Sequence, residues 1–109
     1  MPSEVALTLY ENNDEKLNLT ISSNVVGFSL VGKDLEAFVK ASASTPDDDA
    51  GVWMGTSDDG DIVIEDEDNA YVLIPAAALT TTKGWYRVDV LAGGLRKTAV
   101  YGTLTVVDL

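Results

Sequence analysis

The sequence predicts one all-β domain over residues 1–109, a β-sandwich of about seven short antiparallel strands with one short helical turn near residues 75–79. Three observations carry this. From Trp85 to Ala92, Tyr86, Val88, Val90 and Ala92 alternate with Trp85, Arg87, Asp89 and Leu91, the period of a strand with one buried face. Turn-forming clusters recur at short spacing along the whole chain. No stretch holds a long helical period.

The elements follow in order. Val5, Leu7 and Leu9 alternate with Ala6, Thr8 and Tyr10 and predict a first strand, closed by the turn cluster at residues 12–14. Leu17, Leu19 and Ile21 predict a second strand with Lys16, Asn18 and Thr20 on its polar side. Residues 22–33 read as a long connection with Phe28 and Leu30 tucked beneath it. Leu35, Ala37 and Val39 predict a third strand with Asp34, Glu36 and Lys40 facing water. Residues 42–51 are the most loop-like stretch, and Val52, Trp53 and Met54 suggest a short edge strand. After a turn over residues 57–60, Ile62–Ile64 and Tyr71–Ile74 predict a hairpin around residues 66–69. Both of its strands are apolar on both faces, so alternation leaves their inward side open. Pro75 to Leu79 reads as one helical turn with proline preset at its start.

The last hairpin carries a register expectation. A two-residue turn at Gly93 and Gly94 pairs Val88 with Ala99 and leaves Val100, Leu104 and Val106 behind Trp85 and Arg87. Shifting by one residue pairs Val88 with Val100, gathers Thr98, Val100, Gly102, Leu104 and Val106 on one face, and sets the Tyr86 ring over Gly102. A one-residue slip turns every side chain over, so burial selects the second register. The expected device is a three-residue connection over Gly93, Gly94 and Leu95.

A chain of 109 residues with 46% hydrophobic content can bury roughly two-thirds of its unfolded surface. It contains no cysteine and no histidine, which removes disulfides, thiol catalysis, the usual nucleophile pairs and imidazole switches. Met1 to Val5 do not read as a secretory signal. The net charge of −11 is uneven: ten acids and no base lie between Lys40 and Lys83, at Asp47 to Asp49, Asp58, Asp59, Asp61 and Glu65 to Asp68. Such a sector repels phosphate and anionic lipid, so neither nucleic acid nor membrane is expected as a partner.

Trp53 and Trp85 are the side chains best able to drive recognition, because large aromatics dominate interface energetics. Trp85 stands on the polar side of its strand beside Arg87. With Leu91 these residues make the outward side of the last hairpin the expected protein-contact surface. Asp58, Asp59 and Asp61 are weak calcium candidates: with Gly60 as the central glycine, Gly55 falls where an EF-hand needs its first acidic ligand. No catalytic constellation, resident metal or cofactor is expected.

The stretch Asn-Asp-Glu-Lys-Leu-Asn-Leu-Thr-Ile (13–21), the Lys33-Asp34-Leu35 step, Asp-Gly-Asp-Ile-Val-Ile (59–64) followed by a strand ending at Pro75, Gly84-Trp85-Tyr86, and the long final run from Thr98 to Val107 together resemble a family. This is the immunoglobulin-like N-terminal domain of tailed-bacteriophage baseplate upper proteins, with relatives among head-fibre and minor tail proteins. The resemblance implies an immunoglobulin-like sandwich without catalytic residues. It implies a structural module of the virion, made in the host bacterial cytoplasm, that docks onto other virion structural proteins of the tail, baseplate or capsid surface. In that family the domain usually heads a longer polypeptide, whereas this sequence ends at Leu109. The expected behaviour is monomeric or weakly self-associating in dilute solution and symmetrically repeated on the particle. The alternative reading is an adhesion domain binding carbohydrate through Trp53 or Trp85, or calcium through the acidic turns.

Overall fold

Alternating apolar residues are consistent with a strand only if the buried faces of two sheets meet, and that is how the chain resolves its pattern. The computed structural model describes residues 3–11, 13–21 and 29–107. Among them are nine strands: β1 (Ser3–Glu4), β2 (Leu7–Tyr10), β3 (Glu15–Thr20), β4 (Asp34–Lys40), β5 (Trp53–Thr56), β6 (Ile62–Ile64), β7 (Asn69–Ile74), β8 (Trp85–Ala92) and β9 (Leu95–Val107). The larger sheet runs β1-β9-β8-β4-β5, with β2 also on β9, and the smaller runs β3-β7-β6. The helical turn is a 3₁₀ turn at Ala76–Ala78, and Pro75 stands just before it rather than inside it. Its first amide, that of Ala76, donates to the Asp14 carboxylate at 2.8 Å.

Two expectations about the strands need correction. The first strand is split into β1 and β2, which raises the strand number to nine among the described residues. Both pieces run parallel to β9, so the sandwich is not wholly antiparallel. Between them Val5 lies against Gly102, where its carbonyl turns inward and accepts the Tyr86 hydroxyl. A Cβ on Gly102 would stand 2.2 Å from that carbonyl oxygen, so only glycine fits there.

The final hairpin has the expected register by an unexpected device. Val88 pairs with Val100 and Tyr86 with Gly102. The connection, however, is a two-residue turn, with Gly93 at φ 59° and Gly94 at φ 80°, the form whose twist matches a hairpin. The register shift comes later, at a β-bulge between Val88 and Asp89 that leaves Ala99 as the extra residue. Thr98 therefore lies on the outer face opposite Asp89, not on the inner face with Val100 as the sequence suggested.

The core lies between the sheets. Leu35, Ala37, Val39, Tyr86, Val88, Val100, Leu104 and Val106 meet Leu19, Ile62, Ala70, Val72 and Ile74, closed by Leu30 and Leu79. Leu30 is fully buried as expected, while Phe28 lies outside the described residues. The inward side that alternation left open falls to Ile62, Ala70, Val72 and Ile74.

Candidate functional site

Each sheet has an outer face, and the two faces differ in what covers them. On the larger sheet, Phe38, Arg87 and Tyr101 form one cross-strand row and Glu36, Asp89 and Thr98 another. Phe38 points outward yet is only 2% exposed. The Arg87 guanidinium lies 4.5 Å from its ring centroid, with Lys40 at 5.6 Å and Arg96 at 5.8 Å. These cations alternate with carboxylates in a continuous chain. Lys40 pairs with Asp47, which pairs with Arg87 at 2.7 Å; Arg87 meets Asp89 at 3.0 Å; Arg96 joins Asp89 at 2.8 Å and Glu36 at 2.7 Å. Asp89 is fully buried and also accepts from the Thr98 hydroxyl at 2.9 Å. A buried carboxylate this well supplied with donors is satisfied rather than strained.

Asp47 brings the 42–51 loop onto this face. Lys40, expected to face water, is 2% exposed because its ammonium donates to the Thr45 carbonyl at 2.9 Å and to Asp47. Arg87 and then Lys40 hold the Asp47 carboxyl down at about 2. Burial works against the Arg87 charge, but Asp47 and Asp89 more than offset it and push the guanidinium up. Asp89 and Glu36 do the same for Arg96. One acid of the loop therefore serves an internal structure, while the ion-pair chain itself is electrically neutral.

The residues expected to make contacts on the last hairpin are drawn into this structure. Arg87 is committed to Asp47 and Asp89. Trp85 is half-buried against Tyr101, with ring centroids 5.6 Å apart. Leu91 is half-buried on the outer face in the row with Asp34 and Arg96. Trp53 lies on β5, the edge strand anticipated there, but its indole is half-buried against the core and lies over Gly55. The structure thus gives Trp53 and Trp85 separate packing tasks and does not bring them together.

The calcium candidates are likewise dispersed. The Asp61 carboxylate accepts from the Thr56 amide at 3.2 Å, and the Asp59 amide donates to the Thr56 hydroxyl at 3.1 Å. Asp66 caps its own turn, accepting from the Asn69 side chain and from the amides of Asp68 and Asn69, which hold its carboxyl below the usual range. Among the described residues no three acidic side chains converge as a metal site.

The outer face of the smaller sheet is built differently. Strand register and alternation order it as three rows: Lys16, Leu73 and Asp61; Asn18, Tyr71 and Val63; Thr20, Asn69 and Glu65. Tyr71 sits at the centre, with the Lys16 ammonium 4.2 Å from its ring centroid. Leu73 is 44% exposed. The Lys16 end of the face runs into a shallow depression lined by Asp14, Glu15, Lys16, Asp61, Leu73, Ile74 and Pro75. The turn before β6 carries Asp58, Asp59 and Asp61, and the turn after it Glu65 to Asp68. An aromatic centre with apolar neighbours and a charged rim is the layout of a protein-contact patch.

Alternation does not mark this face in the sequence, although a signal is present. A strand apolar on both sides in a two-layer sandwich must show one apolar side outward, and β7 does so through Tyr71 and Leu73. No protein-family model matches the chain, and no curated protein matches it.

Proposed function

We propose that the chain is a non-enzymatic docking module with an immunoglobulin-like sandwich, serving as a structural component of a tailed-phage particle. The observation that carries the fold reading is strand order. The β5-β4-β8-β9 sheet against β3-β7-β6 corresponds to the C′-C-F-G and B-E-D arrangement of immunoglobulin-type domains, with the split first strand added alongside the last. The motifs at residues 13–21, 33–35, 59–64 and 84–86 support the phage setting. The docking role is supported by the apolar-centred outer face of the smaller sheet.

The test is co-assembly. Expressed together with the capsid and tail proteins of a phage whose genome carries its gene, the chain should co-sediment with assembled particles in a density gradient and be detected there by mass spectrometry at a fixed ratio. A chain that stays entirely at the top of the gradient overturns the reading.

A further inference from the structure

The larger sheet's outer face is occupied by its own ion-pair chain and by the 42–51 loop, whereas the smaller sheet's outer face has no such cover among the described residues. We propose that this second face, centred on Tyr71 and Leu73, is the docking surface, and that its partner is a protein segment carrying arginine or lysine side chains, one of which enters the depression between Asp14, Asp61, Leu73 and Pro75. The inference rests on the docking reading above and deepens it by naming the surface and the chemistry of the partner.

Charge complementarity selects the occupant. Asp61 and Glu65 stand on the face itself, and the two turns flanking β6 supply Asp58, Asp59, Asp66, Glu67 and Asp68 around it. Lys16 is the single cation in the rows; it also lines the depression, where Asp14, Glu15 and Asp61 outnumber it, and its ammonium is turned onto the Tyr71 ring. A second copy of a chain with net charge −11 would bring like charge to this rim, and a phosphate backbone would be repelled as well. The depression fits an amphipathic cation. Leu73 and Pro75 offer apolar surface to the stem of a long basic side chain, and Asp14 and Asp61 offer carboxylate oxygens to its head. Both carboxylates are already oriented, Asp14 by the Ala76 amide at 2.8 Å and Asp61 by the Thr56 amide at 3.2 Å. Neither belongs to the ion-pair chain over Phe38. Their positions are fixed by the fold, so little ordering is left for binding to impose.

The experiment uses the isolated chain and a defined probe, the peptide amide acetyl-(Arg-Ser)₃, followed by ¹H–¹⁵N correlation spectra at constant ionic strength. The expected shifts concentrate at Lys16, Asp61, Tyr71, Leu73 and Ala76. Leu73→Lys, at an exposed position, should weaken binding by about tenfold. Asp48→Asn changes net charge by the same amount at an exposed site in the other acidic loop, and should weaken it by less than about twofold. Three results overturn the proposal: no binding, shifts spread evenly over the 47–49 and 65–68 segments, or equal weakening by both variants. Failure here leaves particle co-assembly standing, and failure of co-assembly leaves a localised cation site standing, so the two readings are separable.

Discussion

The hydroxyl of Tyr86 on β8 donates to the carbonyl oxygen of Val5, 81 residues away in sequence, in the space left by the missing side chain of Gly102. Three segments meet at that point. The first strand breaks there, the last hairpin fixes its register there, and the Tyr86 ring is 3% exposed. Burial also pushes the Tyr86 phenol up, which keeps it a neutral donor.

Two substitutions test this junction. Tyr86→Phe should cost about 1 kcal/mol, since it removes the donor from the Val5 carbonyl at a part-buried site. Gly102→Ala should cost about 2–3 kcal/mol, because its Cβ would force Val5 away from β9. Urea denaturation of each variant checks both values, and a neutral Gly102→Ala would show that β1 and β2 are not anchored here.

Asp89 is the key carboxylate of the larger sheet's outer face. Asp89→Ala should destabilise by about 3 kcal/mol, as it leaves Arg87 and Arg96 over Phe38 without their shared partner. Asp48→Ala, at an exposed loop position, should change stability by less than about 0.5 kcal/mol. Equal midpoints for the two variants in urea would contradict the ion-pair chain.

The Asp47 contact predicts an acid dependence. Its folded carboxyl is held at about 2 against an ordinary 3.8, so the unfolded chain takes up the proton first as pH falls. The contribution is complete above about pH 4 and disappears as pH approaches about 2. Asp47 is substantially exposed, and solvent screening limits the effect to about 1 kcal/mol. Thermal melting of the wild type and Asp47→Asn should differ at neutral pH and converge near pH 2. A constant difference across that range would remove the role given to the Arg87 and Lys40 contacts.

Much of the sandwich was legible because alternation and burial are local signals. Val88 against Val100 and Tyr86 over Gly102 followed from requiring one apolar face. The bulge at Ala99 was not legible, because a two-residue turn plus a bulge and a three-residue loop give the same pairing beyond it. Lys40 was misplaced for a different reason. Its burial depends on Asp47, in a loop whose docking no period encodes. Phe38, lying between Glu36 and Lys40 on a polar face, was the available hint that something covers that side. The Tyr71 and Leu73 face was hidden by the twofold apolarity of β7, which conceals direction until the second sheet is in place.

Docking through the smaller sheet, as proposed, and docking through the last hairpin are set against each other by two variants of equal charge change. Leu73→Lys alters the first and Leu91→Lys the second, at outward positions in both cases. Particle incorporation of each, measured by co-sedimentation after both are shown to melt like the wild type, should fall by about tenfold for Leu73→Lys and stay at the wild-type level for Leu91→Lys. Retention of Leu73→Lys together with loss of Leu91→Lys would contradict the account.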